Sequence, residues 1–313
     1  MKMRIPHRSY PRIPTAASTE AVGGAWVATE KIHGANFVVA TDGDSVRFGK
    51  RKQWLEDGDA FFGWQLLRAR VGRAARSIHG ALSGAELVWV YGELFGGGYP
   101  HPEVSDVPGL APVQTGVWYG PTLEFAVFDV VVERPEHEVE FMSHDDVVSH
   151  CAKVGLITPP VIGRGSRSEL FALEVHRPTA VPQLLGLPSL PDNIAEGHVL
   201  KPAEPMAIAT RPTVKRKTAT FDEARFDASR PFDANAFLNL EELTTLAAQL
   251  VNPARIASAR SKVGSDRDAV LDEVVLDVLL DIELLFQRRF ACLEPDEARR
   301  LEAAIRSLGA ACC

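Results

Sequence analysis

The chain has 313 residues, 46% of them apolar and 24% charged, with a formal net charge of −7. That balance is ordinary for a folded soluble protein of one large domain plus a smaller one, and it argues against coating nucleic acid through bulk positive charge, although a local basic groove stays open. The four cysteines, Cys151, Cys292, Cys312 and Cys313, form no C-x-x-C pair and no zinc-type pattern with histidine, so a reduced, cytoplasmic protein is expected.

Residues 1–18 are interrupted by Pro6, Pro11 and Pro14 and lack the apolar core of a signal peptide, and no apolar run reaches membrane-spanning length. Trp26 to Ala28 reads as a strand running into Thr29-Glu30-Lys31-Ile32-His33-Gly34-Ala35-Asn36, and Phe37 to Ala40 as a strand leaving it. An ordinary lysine has a pKa of about 10.4, so Lys31 can act as a nucleophile only if something favours its free amine. Burial and nearby cations do that, and the sequence offers Arg51, Lys215 and Lys217 to converge on it. Gly34 allows the backbone to turn closely around a ligand.

Asp42-Gly43 between two β-rich runs predicts a hairpin, which places Arg51 just past the strand that folds back on Phe37 to Ala40. Phe61 to Ile78 has helical spacing, with Phe62, Leu66, Leu67 and Val71 on one face. Leu87 to Tyr91 reads as a buried strand ending in Gly92-Glu93, followed by the Gly96-Gly97-Gly98 cluster; a carboxylate there suits a sugar hydroxyl with backbone close by. Residues 100–121 read as an irregular loop, and Leu123 to Val132 as a strand whose alternation puts Phe125 and Phe128 on opposite faces. Ser143 caps a helix to Val154, and Arg164 to Arg167 is a polar turn.

Glu196-Gly197-His198-Val199-Leu200-Lys201-Pro202 is a strand bearing a carboxylate at its start, an oxygen ligand suited to Mg2+. Lys215 and Lys217 share one face of a strand within the one dense basic run, which by itself would also suit a solvated face. A linker at 222–238 is followed by helices: Leu240 to Val251, Pro253 to Gly264 capped by Asn252, Ser265 to Phe290, and Pro295 to Leu308 with Gly309 as its stop.

Lys31-Ile32-His33-Gly34-Ala35-Asn36 resembles motif I of the covalent nucleotidyltransferases, in the K-x-H-G-x-N form of the RNA ligase 2 family. Five further stretches fall in that family's order: Arg51 resembles motif Ia, Glu93 motif III, Phe125 to Asp129 motif IIIa, Glu196 to Lys201 motif IV and Lys215 to Lys217 motif V. The resemblance implies an α+β fold, with an adenylyltransferase domain on antiparallel sheets over residues 1–221 and a small all-helical domain over 239–313 that handles RNA ends. It implies an ATP-dependent RNA ligase. Lys31 would carry AMP covalently; Glu30, Asn36, Arg51, Glu93, Phe128, Lys201, Lys215 and Lys217 would bind the nucleotide; and Glu196 would hold Mg2+ or Mn2+. Phe128 would be the ring stacked on adenine, although a core phenylalanine reads the same way in the strand. Arg255 falls where the family handles the RNA strand, but Ala254 replaces the usual preceding asparagine, and a salt-bridged helix surface fits equally well. His33 could relay a proton, orient an RNA end, or serve structurally. The implied partner is RNA with 3′-hydroxyl and 5′-phosphate ends, such as a nicked duplex, with an end-healing kinase or phosphatase alongside. Another covalent nucleotidyltransferase acting on DNA or a cap, or an idle nucleic-acid-binding protein, remains open from sequence.

Overall fold

The computed structural model describes residues 5–14, 23–222 and 237–312, so residues 223–236 of the expected linker, and Cys313, lie outside them. The fold is α+β, and contacts divide it into two compact units. One comprises Met1–Leu55, Ala74–Ser105 and Pro112–Arg230; the other comprises Glu56–Arg73, Asp106–Ala111 and Pro231–Cys313, so two short stretches from the first half of the chain group with the C-terminal helices.

The elements up to residue 222 run β1 (Trp26–Glu30), β2 (Ala35–Thr41), β3 (Val46–Lys50), β4 (Gln53–Trp54), α1 (Gln65–Ala81), β5 (Leu87–Gly98), β6 (Gly120–Glu133), β7 (Glu140–Phe141), α2 (His144–Lys153), β8 (Val161–Gly165), α3 (Arg167–Phe171), α4 (Val181–Leu184), β9 (Gly197–Pro202), β10 (Met206–Ala207), β11 (Val214–Lys217) and α5 (Ala219–Asp222). They build a seven-stranded sheet, β10-β7-β6-β5-β2-β3-β4, and a four-stranded sheet, β11-β9-β1-β8, with every pairing of named strands antiparallel. The hairpin at Asp42-Gly43 forms as expected, with Gly43 at φ 95° and the Asp42 carboxylate accepting from Ser45 N–H at 2.7 Å.

One face of the larger sheet buries Val38, Ala40, Trp89, Tyr91, Val131 and Phe141 beneath residues 5–14. That segment is tied down by its backbone carbonyls: Trp89 Nε1–H donates to Pro6 O at 3.2 Å and the Tyr91 hydroxyl to Arg8 O at 2.8 Å. Strand β5 does not end at Glu93. It continues through the glycine cluster to Gly98, because those glycines let β6 come closer than any side chain would allow: a Cβ on Gly96, at φ 91°, would sit 2.1 Å from Thr122 O. Helix α1 starts at Gln65 rather than Phe61, since Phe62 has φ 55°. The polar stretch at Arg164 is the end of strand β8, and Ser166 then caps α3 through a capping box.

The second unit is built on α6 (Leu240–Leu250), α7 (Pro253–Val263), α8 (Arg267–Leu285), α9 (Gln287–Ala291) and α10 (Pro295–Cys312). Leu243, Leu246, Ile256, Val274, Val278, Ile282, Leu301 and Ile305 form its core. Asn252 caps α7 by accepting from Arg255 N–H, as expected, and Gly264 closes it at φ 87°. The single helix expected from Ser265 to Phe290 is two, broken at Phe286. Gly309 does not stop the last helix; it lies inside α10, where a Cβ would meet Leu271 Cδ2 at 3.0 Å, so its role is close helix packing.

Candidate active site

The turn from Lys31 to Gly34 leaves the end of β1 and is fastened at three of its amides. Lys31 N–H donates to Gly197 O at 2.9 Å, His33 N–H to the Tyr119 hydroxyl oxygen at 2.8 Å, and Gly34 N–H to the Glu93 carboxylate. Gly34 is needed because a Cβ there would lie 2.1 Å from Leu94 O. The turn is thereby pressed onto β5.

Glu196 is the centre of charge. It is 1% exposed, and its two oxygens meet two lysines and a histidine: Lys31 Nζ at 2.6 Å and His33 Nδ1 at 3.4 Å from Oε2, and Lys217 Nζ at 2.9 Å from Oε1. Burial opposes its ionisation, but Lys31 and the hydrogen bonds from His33, Lys31 and Lys217 outweigh it and hold the carboxyl far below the usual range. Glu93 lies opposite Asn36 on paired strands β5 and β2, so the two side chains share a face. Its burial pushes the carboxyl up to about 7 against the pull of Lys31, with Glu196 adding to the rise.

The expectation that cations would surround Lys31 and depress its pKa is corrected here. Burial does act in that direction, but the anions Glu196 and Glu93 more than offset it, and the amine is held above its ordinary value. Lysines do converge: Lys215, on the same face of β11 as Lys217, is pulled down by burial and by the charges of Lys217 and Lys31. Arg51 does not join them; it is exposed in the turn between β3 and β4.

Phe128 sits at a bulge in β6, where Tyr91 opposes Asp129 and Gly92 opposes Val127. The extra residue brings Phe128 and Asp129 to the same side, and the Phe128 ring meets Tyr10 edge-on at 4.9 Å, while Phe125 packs on Phe37 from the other face. Lys201 is 3% exposed; its ammonium binds Phe128 O and, at 2.8 Å, Asp129 Oδ1. Arg211 grips both oxygens of Asp129, at 2.8 and 2.6 Å, and donates to the Tyr10 hydroxyl at 2.9 Å, so Lys201 is committed to a buried network rather than to the Glu196 cluster. Glu30, read with the nucleotide-binding set, is 2% exposed and accepts from the Thr179 hydroxyl and from Ala180 N–H at 2.9 Å. Arg255, read as an RNA contact, is 3% exposed within the helical unit, donating to Leu250 O at 2.9 Å and to Asp281 Oδ2 at 2.5 Å.

Sequence reading missed Tyr10, Tyr119, Asp129, Arg211 and Phe221. Phe221 packs edge-on to the His33 ring at 5.0 Å. Asp129 stood inside a recognised stretch, and its position after Phe128 in an apolar strand was the available clue. Among the described residues no group of three or more His, Cys, Asp or Glu side chains is placed to hold a metal ion.

A family model described as RNA ligase matches residues 24–217. RNA-editing ligase 2, mitochondrial, of Trypanosoma brucei brucei is 33% identical over 200 residues, which is 56% of this chain and 48% of that protein. RNA-editing ligase 1, mitochondrial, of the same organism is 29% identical over 224 residues, 62% of this chain and 48% of its own. The chain thus spans about half the length of the curated relatives it matches. A Naegleria gruberi RNA ligase mutant solved with ATP and Mn is similar at a TM-score of 0.44 and 12% identity, over 65% of this chain and 52% of that one.

Proposed function

The chain belongs to the RNA ligase family, and from that premise we propose that it is an ATP-dependent RNA ligase that works through a lysyl-AMP intermediate. The observation that carries this reading is the convergence of Lys31, His33 and Lys217 on one buried carboxylate, Glu196, with Glu93 close enough to act on Lys31 and Glu196. Lys31 Nζ first gives up its ammonium proton to solvent and then attacks the α-phosphorus of ATP; the N–P bond forms, the bond to the bridging oxygen breaks, pyrophosphate leaves, and a second proton passes from the nitrogen to solvent. The AMP then moves to an RNA 5′-phosphate, and a 3′-hydroxyl displaces it to seal the strand. These are displacements at phosphorus, so the protein's part is positioning and neutralisation of charge.

Lys215 and Lys217 are the fixed cations for the phosphates. Glu93 and Asn36 would meet the ribose, Phe128 the base, and Glu196 would hold the divalent cation. Bound Mg2+ or Mn2+ would neutralise charge on the phosphates. His33, whose ring reaches Glu196, would relay a proton or orient the RNA end. The chemistry requires RNA with a 3′-hydroxyl and a 5′-phosphate, and a nicked RNA duplex, with an end-healing kinase or phosphatase alongside, is the substrate we propose.

The test is incubation with α-labelled ATP and Mg2+ followed by denaturing electrophoresis. Wild type should carry label that pyrophosphate removes, and Lys31→Ala should carry none. Label retained on the alanine variant would move the nucleophile elsewhere, and sealing of nicked DNA in preference to nicked RNA would reassign the substrate.

A further inference from the structure

Of the three amides that fasten the Lys31 to Gly34 turn, one is bound by the Gly197 backbone and one by Glu93, which has a nucleotide to meet. The third, on His33, is bound by Tyr119, a residue with no part in the chemistry described above. Tyr119 lies just before β6, at the end of a stretch with few regular elements, yet it is 2% exposed and its own placement is built with care. Asn193 brackets the preceding peptide: Trp118 N–H donates to its Oδ1 at 2.9 Å and its Nδ2–H donates to Trp118 O at 2.6 Å. The Tyr119 ring rests edge-on against Phe95 at 5.2 Å, within an apolar cluster that includes Ile32 and Phe221. Phe221 in turn meets the His33 ring, whose Nδ1 reaches Glu196.

We propose that Tyr119 is a positioning residue for adenylyl transfer: with its ring against Phe95 and the preceding peptide bracketed by Asn193, its hydroxyl oxygen pins the His33 amide and so fixes the turn that aims Lys31 Nζ. The inference rests on the proposed lysyl-AMP chemistry. A reacting amine displaced by even part of an ångström loses in-line geometry, whereas ATP binding, governed by other side chains, changes little. Burial drives the Tyr119 hydroxyl well above its ordinary pKa, so it stays neutral and the effect does not vary with pH.

The experiment is single-turnover labelling with α-labelled ATP across ATP concentrations, for the full chain and for Tyr119→Phe, which keeps the ring and removes the oxygen. The expected result is a maximal rate lower by roughly five- to tenfold, the worth of one neutral hydrogen bond, at an ATP half-saturation within about twofold of wild type and at every pH tried. An unchanged maximal rate overturns the inference, as does a raised half-saturation alone, or a lower rate that returns to wild type on cooling below the variant's melting transition. If Tyr119→Phe fails to fold, 3,5-difluorotyrosine at position 119 keeps the packing and weakens the acceptor; a slower maximal rate supports the inference and an equal one sinks it. Absence of label on wild type would defeat the lysyl-AMP reading and this inference with it, while equal labelling of wild type and variant defeats this inference alone.

Discussion

At the residue scale the free protein holds Lys31, the nucleophile we propose, in the wrong protonation state for attack. Lys31 is paired with Glu196 at 2.6 Å and its pKa is raised, so the ammonium predominates at any neutral pH. Glu196→Gln removes that anion while keeping the size and a hydrogen-bond acceptor, so the Lys31 pKa should fall and its amine should become more reactive. Competitive acetylation read by mass spectrometry, in the absence of ATP and metal, should show faster modification of Lys31 in the variant; equal or slower modification would mean that Glu93 or burial, not Glu196, sets the protonation state. Glu93 makes a second prediction, with the sign fixed by linkage. Its folded pKa is raised from 4.5 to about 7, so the folded state holds an extra proton between those values, and stability from this group is present below about 4.5 and lost as pH rises through 7. Glu93→Gln, neutral throughout and still able to accept from Gly34 N–H, should therefore raise the melting temperature at about pH 8 and have a smaller effect at about pH 4.5. A variant stabilised equally at both pH values would show that burial of the charge is not the cause.

At the scale of the element, β5, which supplies Glu93, is packed to glycine tolerance. Gly96→Ala would drive a Cβ to 2.1 Å from Thr122 O at a φ of 91° that alanine adopts poorly, so β5 and β6 must separate. The expected cost is about 2–4 kcal/mol, combining overpacking with backbone strain, and urea titration followed by tryptophan fluorescence would measure it. A cost under about 1 kcal/mol would mean that the strands part easily. Much of this architecture was legible in the sequence where local chemistry decides it. The Asp42-Gly43 hairpin, the Ser143 and Asn252 caps, the Glu196 to Pro202 strand and the paired lysines of β11 all follow from turn residues, caps and period-2 spacing. What stayed illegible depends on partners distant in sequence. Gly96 reads as a loop glycine until Thr122 is seen behind it, and Gly309 reads as a helix stop until Leu271 is found against it. The charge around Lys31 was misjudged for the same reason: the sequence displays the cations as a run, whereas the carboxylates that dominate arrive singly, Glu93 from β5 and Glu196 from beside β9.

Across the whole molecule, the proposed chemistry and the C-terminal helices α6 to α10 fall in different units. The ion pairs of Glu196, the Asp129 network and the matched residues 24–217 belong overwhelmingly to the first unit, while the helical unit has a core and a buried ion pair of its own. That pair decides what Arg255 does. Its guanidinium is 3% exposed and spent on Leu250 O and Asp281, and burial pushes the Asp281 carboxyl upward against the pull of Arg255. Arg255→Ala leaves Asp281 buried without its cation and Leu250 O without its donor, a loss of about 3–5 kcal/mol for a broken buried pair, lessened to the extent that Asp281 takes up a proton. The expected outcome is a lower melting temperature for the helical unit, with partial recovery at acidic pH where Asp281 is neutral, and undiminished AMP labelling of Lys31. Circular dichroism melts run beside the labelling assay check both halves of that outcome. A variant that melts like wild type yet seals RNA poorly would return Arg255 to the RNA-handling role implied by the sequence resemblance, because only a side chain free to leave Asp281 could lose function without losing stability.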